Sequence, residues 1–407
     1  MTADGSSFRL GVNYLPPRAG MAWLRPYEPA STRSDLRLAA EAGLDSVRVF
    51  LPWEDAQPEP GTVDPAALGH LVDVADAAAE AKVELIVTLF VGHMSGVNWI
   101  PPWATGGADG DPRFRVIAGG RVQPAERGLR NWYSDPEIAG AQERLARAAA
   151  GALAGHSAVW AWDLGNENSN CTIPPDRLTA DSWLERMTDA IRTADPGRPI
   201  TLGMHMEDLE EDRRIGPAEA ARHCDFVSMH GYPIYADWAT GPTDHHLPPF
   251  LALVTRWLAG GADVLFEEFG LPTRPTRPTR PTGANDLRNP HLVDESSAAT
   301  YTGLVLDGLR TAGCTGALLW CFADYVEALH DLPPLELATH ERSFGLWRSN
   351  GSPKPALAEV TQRVQLEVMP PPATPWLDID VEEFEASRRE QLVRLYHRYR
   401  AAGAAEP

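Results

Sequence analysis

Eight short apolar runs, each followed by a stretch of helical periodicity, constrain the fold of this chain more than any other feature. They occupy residues 8–14, 45–51, 83–90, the run around Trp160, 199–205, 225–230, the run from Val264, and 316–322. The third run is almost continuously apolar, as parallel strands covered on both faces are. Between the runs lie helix signals. Thr32 is a candidate cap for a helix over 32–42, and Asp64-Pro65 supplies a capping residue with proline at the first helical position. Leu68, Leu71, Val72, Ala75, Ala78 and Ala79 then recur at helical spacing. Ser134-Asp135-Pro136-Glu137 reads as a capping box. Alternating strands and helices predict a (β/α)8 barrel, with a doubly wound parallel sheet as the alternative.

The connections orient that barrel. Turns from helix into strand are short, at 42–44, 155–157, 195–198 and 260–262. Segments leaving strands are long, at 91–133, 167–181, 231–247, 270–296 and 323–352. Length gathered on one face builds a cleft over the C-terminal ends of the strands, where barrel chemistry sits.

Two segments fall outside this scheme. Residues 273–282 repeat Thr-Arg-Pro and favour extended, polyproline-like backbone in a solvated loop. After three prolines at 370–372 comes a charged helix near 381–400, whose Phe384, Leu392, Leu395 and Tyr396 make one apolar stripe. The expected organisation is a catalytic barrel over 1–369, then a linker and helix over 370–407 docked on or near it.

Two of the apolar runs end in glutamate. Glu167 closes Trp160-Ala161-Trp162-Asp163-Leu164-Gly165-Asn166, and Glu268 sits in Leu265-Phe266-Glu267-Glu268-Phe269-Gly270, about three βα units further on. Two carboxylates on strand ends of one barrel are the minimum apparatus for retaining glycoside hydrolysis. Polar and aromatic groups gather at the same end of other strands: Arg48, His93, His205, His230, Tyr232 and Trp320. A formal charge of −20 argues against nucleic acid or an anionic membrane as partner and suits a neutral substrate. The start carries no signal-peptide pattern, and no run approaches the ~20 apolar residues of a membrane span. Cys171, Cys224, Cys314 and Cys321 lack metal-site spacing and read as reduced thiols, which points to a cytoplasmic location.

Asn166-Glu167, His230-Gly231-Tyr232-Pro233, Glu268-Phe269-Gly270 and Trp320 together resemble the retaining glycoside hydrolases of clan A, most closely family 5. Ser343-Phe344-Gly345-Leu346 with Gly351-Ser352-Pro353-Lys354-Pro355-Ala356 is similar to their closing segment. The resemblance spans about residues 8–365. It implies that Glu167 is the general acid/base and Glu268 the nucleophile, and it selects Glu268 over Glu267. It further implies that Asn166 meets the sugar 2-hydroxyl, Arg48 and Tyr232 hold Glu268, His230 shapes the site beside the acid/base, and Trp320 floors it. His93 and His205 line the site.

Trp53, Trp99, Trp103, Trp132, Tyr133, Tyr235 and Trp238 in the long loops are candidates for stacking on sugar rings, with Trp99 and Trp103 foremost. The substrate is then an oligosaccharide or glycoside, with no metal or organic cofactor. The expected activity is an exo-acting β-mannosidase on short oligosaccharides. Alternatives are a β-glucosidase, an endo-β-glucanase or an endo-mannanase, and, from another class, a non-catalytic carbohydrate-binding barrel. An aldolase would want a strand-end lysine, but the only lysines are Lys82 and Lys354.

Overall fold

The computed structural model describes residues 7–275 and 292–403. Eight parallel strands close into a barrel: β1 Arg9–Tyr14, β2 Ser46–Pro52, β3 Glu84–Val91, β4 Val159–Asn166, β5 Ile200–His205, β6 Val227–His230, β7 Val264–Phe269 and β8 Gly316–Leu319. Each pairs with its sequence neighbours, and β8 returns to β1. Around them run α1 Pro29–Glu41, α2 Pro65–Ala81, α3 Pro136–Ala152, α4 Arg177–Ala194, α5 Pro217–His223, α6 Leu247–Leu258, α7 Glu295–Thr311 and α8 Ala356–Thr361. The protein is a (β/α)8 barrel, not a doubly wound sheet.

Helix starts follow local chemistry. Asp64 accepts from the Ala66 amide and Pro65 takes the first helical position of α2, as read from sequence. Two other starts differ. The first helix begins at Pro29 rather than at Thr32, because proline suits a first helical position and Thr32 is already inside the helix. In α3 the cap is Asp135, accepting from Glu137 and Ile138 amides, so the box is displaced one residue from Ser134.

The 91–133 connection contains an unanticipated four-stranded sheet of His93–Met94, Val97–Trp99, Arg115–Ala118 and Arg121–Val122. Strands of two to four residues carry too few positions to show an alternation.

Beyond the barrel, α9 Val381–Ala386 and α10 Arg388–Gly403 replace the single tail helix read from sequence. Phe384, Leu392, Leu395 and Tyr396 are fully buried. Tyr396 packs edge-on against Phe250 of α6 at 5.0 Å, and its hydroxyl donates to Asp244 at 2.5 Å. Nearly all of α6 is buried, since the barrel takes one side and the tail another. Of the Thr-Arg-Pro repeat, residues 276–282 lie outside the described residues. Among the described residues no helix is long and apolar enough to cross a membrane.

Candidate active site

Side chains two residues apart on a strand share a face, and this spacing stacks the barrel interior in layers. Ile86, Ala161, Phe226, Leu265 and Leu318 form an apolar plug. Two residues further along each segment stand Thr88, Asp163, Ser228, Glu267 and Trp320, all buried. The plug excludes water from below, so the polar layer above it must satisfy itself.

Arg48 of β2 is the hub of that layer and has no solvent exposure. It donates from Nη1 to Glu268 Oε1 at 2.6 Å, from Nη2 to Asp163 Oδ2 at 2.6 Å, and from Nε to Thr88 Oγ1 at 2.9 Å. Asn13 accepts a further bond from Nη1 at 3.2 Å, and Glu267 Oε1 lies 3.3 Å from Nε. Burial alone disfavours this charge, but Glu267, Asp163 and Glu268 outweigh it and raise the guanidinium pKa still higher. Gly203 makes room: a Cβ there would stand 2.7 Å from Arg48 Nη2.

Both strands that deliver a glutamate to the mouth carry one extra residue just before it. On β4, Thr201 pairs with Asp163 but Gly203 with Asn166; on β7, Met229 pairs with Phe266 but His230 with Glu268. Such bulges break the two-residue alternation and re-aim a side chain. Strict alternation would send the adjacent Glu267 and Glu268 to opposite faces. Both reach Arg48, Glu267 from within the barrel and Glu268 from the cavity lining. Glu167 itself adopts a left-handed backbone, φ 50° and ψ 45°, at a cost of about 1–2 kcal/mol. That turn directs its carboxylate into the cavity.

His230 Nδ1 lies 3.0 Å from Glu167 Oε1 and 3.7 Å from Glu268 Oε2. One atom each of Glu167, His230 and Glu268 all fall within 4.8 Å of one another. This is the one grouping among the described residues with spacing for a cation, yet both oxygens of Glu268 already meet protein donors, Arg48 and the Tyr232 hydroxyl at 2.8 Å. Burial, joined by nearby Glu167, leaves the Glu268 pKa above the usual carboxylate value, while His230, Arg48 and the Tyr232 hydrogen bond oppose that rise by favouring the ionised form. His230 loses from burial but gains more from Glu268, Glu167 and Glu267, which bring it to about 10. Burial also raises Glu167, but the His230 hydrogen bond together with the charges of His205, His230 and His93 outweighs it and holds the carboxyl below its usual range. His230, protonated and hydrogen-bonded to Glu167 at 3.0 Å, is placed to share its proton with that carboxylate.

The cavity encloses about 400 Å³. The structure brings His93, Asn166, His205, Tyr232 and Trp320 to its wall with the two glutamates. Asn166 donates to the His93 carbonyl at 2.7 Å, and its buried Oδ1 has no protein partner. His205 Nε2 is 2.8 Å from Ser169 Oγ, which donates to Asp208 at 2.6 Å.

Trp99 and Trp103 do not line the cavity, contrary to expectation. Trp103 donates to the Gln57 carbonyl at 3.0 Å and meets Trp53 edge-on at 5.4 Å; Trp99 donates to the Met94 carbonyl at 3.3 Å. Both are packing residues of the long loop, as are buried Trp132 and Tyr133, and Trp53 just after β2 packs with them. Tyr235 does line the cavity, whereas Trp238 stands behind it and donates to Glu210 at 2.6 Å. Sequence reasoning gave no role to Asp163, Asn13 or Glu341. Asp163 was visible as a lone carboxylate inside an apolar run; nothing local marked Glu341, in the long segment after β8.

A pair of carboxylates at the C-terminal mouth of a (β/α)8 barrel, one held by a guanidinium and a phenol, defines a glycoside hydrolase. The chain belongs to glycoside hydrolase family 5: the family model described as cellulase (glycosyl hydrolase family 5) matches residues 1–286. No curated protein matches it in sequence. Among solved structures, GH5_18 from Streptomyces cattleya in complex with GlcNAc is 24% identical, with a TM-score of 0.80 over 98% of this chain and 92% of that one. The exo-β-1,4-mannosidase of Opitutaceae bacterium strain TAV5 is 27% identical, TM-score 0.69, over 89% of this chain and 60% of that one. A GH5_18 variant from Bifidobacterium longum subsp. longum, solved with Manβ1-4GlcNAc, is 18% identical, TM-score 0.71, over 89% and 80%.

Proposed function

We propose that this glycoside hydrolase is a retaining exo-β-mannosidase acting on short oligosaccharides. The observation that carries the mechanism is the approach of Glu167 and Glu268, with facing atoms within 4.8 Å. Retaining enzymes hold their carboxyls about 5–5.5 Å apart, and inverting ones leave room for a water at about 6.5–9.5 Å. Glu268 attacks the anomeric carbon as the glycosidic C–O bond breaks. The departing oxygen takes a proton from Glu167, which has received it from His230. Glu167 then removes a proton from water, whose oxygen attacks the same carbon and frees Glu268. Asn166 Oδ1 faces the 2-hydroxyl, and Trp320 floors the ring.

Exo action is supported by the loops. Arg115, from the segment after β3, pairs with Glu336, from the segment after β8, at 2.6 Å. This bridge joins two connections across the mouth and favours a pocket over an open groove. A mannoside is supported by the similar proteins whose structures hold Manβ1-4GlcNAc or are described as exo-β-1,4-mannosidase. Four unpaired thiols support a cytoplasmic setting.

The test is hydrolysis of p-nitrophenyl β-mannoside, β-glucoside, β-galactoside and β-xyloside, beside Manβ1-4GlcNAc and the manno- and cello-oligosaccharides. Removal of single terminal mannose units, from aryl glycoside and oligomer alike, is expected. Cleavage restricted to longer oligomers, or to glucosides, contradicts the proposal.

A further inference from the structure

The double-displacement chemistry leaves two buried carboxyls of the cavity unused, and of these Glu210 is already held by the Trp238 indole and the Arg389 guanidinium. Glu341, in the helical turn Thr339–Ser343, lines the cavity and is 5% exposed. Its Oε1 accepts from the Tyr235 hydroxyl at 3.0 Å, and its Oε2 from the Trp320 indole at 3.4 Å. The Ser95 hydroxyl, from the segment after β3, also acts on it. A carboxyl buried this deeply costs several kcal/mol unless its acceptor sites are met. His340 Nε2 also lies 3.5 Å from Oε1, and since two carboxylate oxygens offer about four acceptor sites, the long contacts from Trp320 and His340 leave room for closer donors from a sugar. The turn is anchored from behind: buried Lys354 donates to the Ser343 carbonyl at 2.8 Å and to Asp324 at 2.6 Å.

Its position relative to the chemistry follows from the strands. The anomeric carbon must lie against Glu268 of β7, and the leaving oxygen beside Glu167 at the end of β4. The sugar ring therefore extends away from Glu167, over Trp320 just past β8. Because the Trp320 indole N–H points at Glu341, a ring lying on that indole has its far edge at the Glu341 carboxyl.

We infer that Glu341 is the specificity-determining residue for the terminal sugar, accepting hydrogen bonds from ring hydroxyls remote from the scissile bond. The inference rests on the glycosidase reading of the site and deepens it. Burial, opposed by Tyr235, Ser95 and Trp320, brings the carboxyl to about 7, so it can donate or accept near neutrality. Tyr235 and Ser95 act as positioning residues, since each touches the carboxyl and comes from a different loop.

The experiment compares kcat/KM for p-nitrophenyl β-D-mannopyranoside with its 3-, 4- and 6-deoxy counterparts, in the wild-type protein, Glu341→Ala, Glu341→Gln and Ser95→Ala. Removing the contacted hydroxyl costs the wild-type protein about 30–100-fold, the worth of a charged hydrogen bond. In Glu341→Ala that same deoxy substrate loses less than about threefold relative to its parent. Glu341→Gln, which keeps volume and one acceptor, falls between, as does Ser95→Ala. A purely structural role would lower all four substrates together. Equal deoxy penalties in wild-type protein and Glu341→Gln, with the aryl mannoside turned over, overturn this inference and leave the glycosidase standing. Failure of the wild-type protein to cleave any of the four overturns the exo-β-mannosidase reading and this inference with it.

Discussion

Arg48 Nη1 lies 2.6 Å from Glu268 Oε1, with neither side chain more than 5% exposed. The same guanidinium holds Asp163, so one cation from β2 ties together carboxylates delivered by β4 and β7. Its planar fork presents donors to both in a fixed geometry, whereas a lysine ammonium is a compact point charge on a flexible stem.

Removing the hub leaves buried carboxylates without their counter-charge. Arg48→Ala is expected to destabilise the protein by about 3–5 kcal/mol. Arg48→Lys is expected to fold and yet lower kcat by about 100-fold or more, because Glu268 loses its oriented donor. Denaturant unfolding and steady-state kinetics on the same preparations check both.

His230 is expected to set the alkaline limb of the pH profile. Its proton is retained until pH rises through about 10, so Glu167 has a proton source throughout the neutral range. With His230→Asn the proton must reside on Glu167 itself, whose pKa as a carboxyl lies lower. The fall of kcat/KM on the alkaline side therefore moves to lower pH by more than one unit. An unshifted alkaline limb counts against the proton sharing described for this pair.

Two tryptophans that look alike in sequence are expected to behave differently. Trp320→Ala removes a cavity wall and lowers kcat/KM about tenfold or more, and because the ring is also buried against Phe50 it lowers the melting temperature as well. Trp103→Ala, packed on Trp53 outside the cavity, lowers the melting temperature and leaves KM unaltered.

That contrast marks where sequence reasoning runs out. Barrel order was legible because parallel strands are apolar throughout and their helices carry caps, as at Asp64-Pro65. Arg48, His230, Tyr232 and Trp320 were legible because polar groups at strand ends converge in any barrel. Trp99 and Trp103 were misread because a tryptophan in a long loop carries no local sign of which surface it faces. The small sheet from His93 to Val122, formed by loop residues, decides that. Bulges in β4 and β7 were hidden as well: an extra residue changes pairing, which appears only when two strands are placed side by side. Glu341 reaches the cavity through the loop after β8, whose course nothing in its composition fixes.

The tail contributes to the barrel's stability. Leu395 and Leu392 are fully buried, so Leu395→Ala is expected to cost about 2–5 kcal/mol, with kcat for a short glycoside unchanged in the folded fraction. Thermal unfolding beside kinetics at low temperature separates the two effects.

The central claim is that Glu268 attacks the anomeric carbon. The most direct measurement is Glu268→Ala with an activated aryl β-mannoside, with and without sodium azide. The account predicts no turnover without azide and, with it, an α-mannosyl azide formed by a single inversion at the cavity left by the carboxylate. Undiminished hydrolysis by Glu268→Ala, or a rescued product of retained β configuration, contradicts it.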